Sequence, residues 1–131
     1  MTDRELVAKA FAMHEFSYVP YSNYPVGAAI LCRDGSVFTG CNVENAAFGS
    51  TICAERTALL KAVSEGHRDD WEVIAIAGRG EDYCWPCGSC RQMLYEFAPG
   101  LRVLVARGDG DFVSTTLDAL LPRGFGPKSL E

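Results

Sequence analysis

The chain has 131 residues, 48% of them hydrophobic, and a formal net charge of -5; this size and composition can bury a core in a single domain spanning residues 1–131 without disulfide staples. The longest apolar run, Val26 to Cys32, falls far below the roughly 20 residues of a membrane-spanning helix, and an acidic chain lacks the surplus of Lys and Arg that nucleic-acid binding draws on. A membrane span and a polynucleotide partner are therefore not expected, and a small-molecule substrate fits better.

The start Met1-Thr2-Asp3-Arg4-Glu5 is charged, without the basic-then-apolar order of a secretory signal. A cytoplasmic protein with reduced thiols is expected, so metal binding is the leading reason for any clustering among its six cysteines. Thr2-Asp3-Arg4-Glu5 reads as a capping box, followed at helical spacing by Leu6, Val7, Ala10, Phe11 and His14. Pro20, Asn23 and Pro25 break that pattern. Val26 to Cys32 and Val37 to Cys41 then form a hairpin across Arg33-Asp34-Gly35-Ser36. A second helix runs from Cys53 toward Gly66, Val73 to Ala77 is a buried strand, and Gly88 to Phe97 is a third helix closed by Pro99-Gly100. Val103 to Ala106 and Phe112 to Thr116 should pair antiparallel, before a last helix. This order predicts an α/β fold, a three-layer α/β/α sandwich on a mixed five-stranded sheet.

Chemistry concentrates in Thr51-Ile52-Cys53-Ala54-Glu55-Arg56 and Pro86-Cys87-Gly88-Ser89-Cys90-Arg91, each opening a predicted helix. Cys87 and Cys90, three residues apart, project from one face of a first helical turn, and Cys53 adds a third thiolate. Three protein ligands with a fourth position left for water mark a catalytic zinc, whereas a structural zinc recruits a fourth ligand. Glu55 lies two residues past Cys53, placed to move protons without ligating. Three thiolates on one zinc leave a charge of about -1, which helix N-termini and a hydrogen bond from Arg56 to sulfur would offset. A Cys, one residue, Glu, then Pro-Cys and a second Cys after two more is the signature of zinc deaminases, in which an activated water attacks the ring carbon bearing the amine.

With these residues in place the chain resembles the small homotetrameric cytidine deaminase family over almost its whole length. The likeness covers Tyr21 to Ala29, Thr39 to Ala46, the two cysteine segments, and Leu120-Leu121-Pro122 with Phe125 and Pro127. It implies hydrolysis of free cytidine or 2'-deoxycytidine with one zinc per chain, in a tetramer with shared sites. It further implies that Asn42 and Glu44 bind ribose hydroxyls, that Glu55 and the Ala54 backbone contact the pyrimidine, that Tyr24 lies against its face, and that Phe125 arrives from another subunit. The chain departs from the family pattern at Tyr24, where phenylalanine is common, leaving a hydroxyl to reach solvent or substrate. Phe48 replaces a common tyrosine, and Cys84-Trp85 make the wall beside the zinc loop bulkier.

Other readings of the same residues are an aminonucleoside deaminase of antibiotic type, a dithiol redox site at Cys87 and Cys90, a structural zinc module, and an iron–sulfur motif through Cys84. Cys32, Cys41 and Cys84 read as buried or half-exposed thiols. His14 reads as a helix-face position and His67 as a surface residue, neither in ligand-like spacing.

Overall fold

In the computed structural model, which describes residues 1–131, the first helix begins where the capping pattern demands. Thr2 Oγ1 accepts from the Glu5 amide and the Glu5 carboxylate accepts from the Thr2 amide, so helix α1 (Asp3–Ala12) starts with two orphan donors satisfied. It ends earlier than the apolar spacing predicts. Met13–Phe16 tighten into a 3-10 turn, and His14 leaves the helix face to hydrogen-bond the Ala77 carbonyl through Nε2 at 2.8 Å.

Strands β1 (Gly27–Cys32) and β2 (Val37–Cys41) form the expected hairpin, followed by helix α2 (Ala54–Ser64) and strand β3 (Trp71–Ala77). Helix α3 (Gly88–Phe97), strands β4 (Arg102–Ala106) and β5 (Phe112–Thr116), and the short helix α4 (Leu117–Leu120) complete the order. β3 starts two residues before its apolar run because exposed Glu72 sits beside buried Trp71, preserving the pleat's alternation. The sheet order is β2-β1-β3-β4-β5. Only β3 and β4 are parallel, the other pairs being antiparallel, so the sheet is mixed as expected.

Both faces of the sheet are covered, which explains why β3 and β4 read as continuous apolar runs. Leu6, Val7 and Ala10 of α1 pack on Val73, Ala75 and Leu104 on one face. On the other, Ala58 and Leu59 of α2 and Leu94 of α3 pack on Ile30, Ile74, Ile76, Val103 and Val105. Side chains alternating along β3 thus serve opposite layers of the α/β/α sandwich. No helix is long and apolar enough to cross a membrane.

One close approach positions the site. A Cβ on Gly40 of β2 would strike the Ala54 carbonyl and the Ala58 amide of α2, so only glycine lets the first turn of that helix lie directly on the strand. Thr57 adds a clasp, donating its hydroxyl to the Cys41 carbonyl at 3.0 Å. The start of α2 is held against the end of β2.

Candidate active site

Cys53 and Cys87 are the N-cap residues of α2 and α3, both with extended backbone and neither using its side chain as a cap. Serine or aspartate would normally fill such positions and satisfy a helix amide; here the thiols face each other instead. Cys87 therefore stands one step outside the first turn in which its spacing had placed it, while Cys90 lies inside α3 and is fully buried. The sulfurs of Cys53, Cys87 and Cys90 lie within 4.8 Å of one another, with Cys87 and Cys90 3.5 Å apart. Cys84 is not part of this group, which removes the iron–sulfur reading.

Arg56 Nη2 donates to Cys53 Sγ at 3.3 Å, the contact its sequence position predicts. Hydrogen bonding from Cys90, with that of Arg56, holds the Cys53 thiol well below the usual thiol range despite burial. The partner effect falls on Cys90, whose proton is retained by its hydrogen bond to Cys53 and by burial. A site that already stabilises one thiolate next to two further thiols, with a guanidinium alongside and no fourth protein ligand, fits a zinc ion with one open position.

Glu55 is 5% exposed. Burial pushes its carboxyl up to about 7, helped by the negative Cys53 and opposed by its own backbone amide, Cys90 and Arg56. A carboxyl poised there can both take and give a proton near neutral pH. Ala54, its fully buried neighbour, opens the same helix turn.

Arg91 was not singled out in the sequence. Its Nε donates to the Pro86 carbonyl at 2.8 Å and its Nη1 to the Leu120 carbonyl at 2.9 Å, which ties the Pro86-Cys87 loop to α4. Its adjacency to Cys90 was the available signal.

The residues expected to meet the sugar are already engaged with the chain. Asn42 Oδ1 accepts from the Val26 amide at 3.0 Å and Nδ2 donates to the Tyr24 carbonyl at 2.9 Å. The Glu44 carboxylate accepts from the amides of Tyr21 at 2.9 Å and Ser22 at 3.1 Å and from the Ser22 hydroxyl, contacts that hold its pKa below the ordinary carboxylate value. Each retains capacity, Asn42 a second amide proton and Glu44 a further lone pair. The Tyr24 hydroxyl accepts from the Gly80 amide at 3.3 Å, fastening the 21–26 turn to the loop after β3 and keeping its own O–H as a donor. Phe125 is 59% exposed, and its carbonyl accepts from Gln92. Phe48 is exposed too, edge-on to Tyr21 at 5.5 Å.

Three thiols converging from two helix starts on a buried carboxyl make the centre of a hydrolytic metalloenzyme. Residues 1–106 match the family model described as the cytidine and deoxycytidylate deaminase zinc-binding region. The chain is 44% identical over 131 residues to a cytidine deaminase of Sporosarcina psychrophila, covering 99% of this chain and 96% of that one. It is 46% identical over 125 residues to a cytidine deaminase of Halalkalibacterium halodurans, 94% of each being covered. The crystal structure of cytidine deaminase from Burkholderia pseudomallei superposes with a TM-score of 0.92 at 45% identity, over 95% of this chain and 100% of that one. The chain belongs to the cytidine and deoxycytidylate deaminase family.

Proposed function

We propose that this chain, acting as one domain, hydrolyses the 4-amino group of free cytidine and 2'-deoxycytidine to give the uracil nucleoside and ammonia. The observation that carries this reading is the Glu55 carboxyl, buried and poised near neutrality beside Cys53, Cys87 and Cys90.

Those three cysteines would hold one zinc per chain, and zinc when bound acidifies water and acts as a Lewis acid. Glu55 takes a proton from the water that attacks C4 and delivers it to the neighbouring ring nitrogen. It then moves a second proton to the departing amine as the C4–N bond breaks. Arg56 keeps negative charge on Cys53 from weakening this chemistry. The Ala54 backbone meets the pyrimidine edge and Tyr24 lines its face. Asn42 and Glu44, already locked in place by the 21–26 turn, bind ribose hydroxyls with their remaining donor and acceptor. The contacts that hold both side chains form without the sugar, so less of the ordering cost falls on binding.

Phe125 completes the site of a neighbouring subunit in a homotetramer, and the protein acts in the cytoplasm, where reduced thiols persist. The direct test mixes purified protein with cytidine and follows the absorbance change on conversion to uridine. Stoichiometric release of ammonia is expected. Inert cytidine and deoxycytidine, with turnover of another aminonucleoside, would overturn the substrate assignment.

A further inference from the structure

A second group of ligating side chains lies at the far end of α2 from the thiol centre, about 16 Å away at 1.5 Å per helical residue. Cys32 Sγ, a ring nitrogen of His67 and a carboxylate oxygen of Asp70 lie within 4.8 Å of one another. Three separate segments supply this corner. Cys32 ends β1 where a register shift in its pairing with β3 sets it opposite Trp71; His67 and Asp70 come from the loop between α2 and β3; Asp34 sits in the β1–β2 turn. His67 is not the free surface residue its sequence context suggests. Its side chain is 22% exposed, with Nδ1 2.9 Å from Asp70 Oδ2 and Nε2 3.7 Å from Asp34 Oδ2.

Two observations distinguish this corner from an ordinary ion pair. Oδ1 of Asp70 is buried and finds no hydrogen-bond partner in the chain, a condition that costs free energy unless something satisfies it. Cys32 is 1% exposed, and burial first, then the negative charge of Asp70 and Asp34 and a hydrogen bond to Asp70, push its thiol up to about 12, so the corner gathers carboxylate charge that no cation of the chain offsets except a protonated His67. Burial also removes the alternative of a nucleophilic Cys-His-Asp set, since no substrate reaches that sulfur. The loop itself is held rigidly by Arg33, which donates its amide to the Asp70 carbonyl at 2.9 Å and Nη2 to the Asp69 carbonyl at 2.8 Å, and by Trp71 Nε1 on the His67 carbonyl at 2.9 Å.

We propose that Cys32, His67 and Asp70, with Asp34 at the open edge, form a second metal site for a divalent ion of the zinc type. Two ligands of a tetrahedral zinc stand about 3.5 Å apart, so ligand atoms within 4.8 Å of one another need close by at most about 1.3 Å, within reach of small side-chain rotations. Binding releases the Cys32 thiol proton to solvent, leaves His67 neutral with its proton on the nitrogen that does not ligate, and satisfies Oδ1 of Asp70. The bound ion ties the β1–β2 hairpin to the loop that ends α2.

The test titrates cobalt(II) into protein already loaded with one equivalent of zinc, reading bound metal after dialysis and the thiolate-to-cobalt absorption. One further equivalent is expected, with a band of single-thiolate intensity. Cys32→Ala should abolish the band, and His67→Gln should weaken binding at least about tenfold, both with cytidine turnover unchanged. If Cys32→Ala does not fold, His67→Gln in the half-exposed loop carries the test alone. The proposal is overturned by the absence of a further equivalent, by one that survives both substitutions, or by a band of three-thiolate intensity, which reports exchange into the Cys53 centre.

Discussion

Cys53, Cys87 and Cys90 share a site in which one negative charge is stabilised by hydrogen bonds and a guanidinium, while Cys84, a few residues away in sequence, meets the opposite environment. Burial, with the negative charge of Glu55 and Cys53, pushes the Cys84 thiol up to about 11, and its sulfur lies outside the group of three that converge within 4.8 Å of one another. Metal analysis should therefore find zinc near one equivalent in Cys84→Ser and depleted zinc, with lost turnover, in Cys53→Ser. A zinc-replete Cys53→Ser protein would contradict the ligand set. The cysteines were legible in the sequence because their chemistry is carried by local spacing. The bond from Gly80 to the Tyr24 hydroxyl joins residues 56 apart, and the clasp of Asn42 on residues 24 and 26 depends on how the hairpin folds back; neither leaves a local pattern.

Among the elements, α1 was readable at its start because a capping box is a short-range code, and not at its end, where His14 turns away to a carbonyl of β3. The starts of α2 and α3 break the capping rule outright, since cysteine replaces the usual oxygen cap and serves the site instead. The α1–β4 contact carries a pH prediction. Arg102 donates through both terminal nitrogens to Asp3, at 2.8 and 2.9 Å, and that bidentate contact holds the Asp3 carboxyl below its ordinary 3.8. A lowered carboxylate pKa adds stability that is present above pH 3.8 and is lost as pH falls through the lower, folded-state value. Because Asp3 is 39% exposed, solvent screening limits the contribution to about 0.5 kcal/mol. Urea unfolding of Asp3→Asn should show that loss at pH 7 and a shrinking difference from the parent as the pH drops below 3.8. A difference constant with pH would mean that the ion pair is not its source.

For the whole molecule, Phe16, Phe48, Leu60 and Phe125 are all exposed, and the proposed tetramer would cover Phe125 at a neighbouring subunit's site. The layer order and mixed sheet were legible from the alternation of helical and strand patterns. Whether Phe125 serves its own chain or a neighbour was not, since contacts between copies have no signature within one chain. Subunit mixing tests the shared site. Glu55→Ala and Phe125→Ala proteins, dissociated and reassembled together, should regain activity as about a quarter of sites acquire both native residues from different chains. Activity that only averages the two variants after proven exchange would place both residues in one chain's site.

The proposed reaction depends most directly on Glu55, buried beside the thiols with its carboxyl pushed up to about 7. Zinc content and cytidine turnover measured on one preparation of Glu55→Ala are predicted to part company, with metal held near one equivalent and turnover down at least about a thousandfold. Substantial turnover at normal zinc content would show that another group moves the protons.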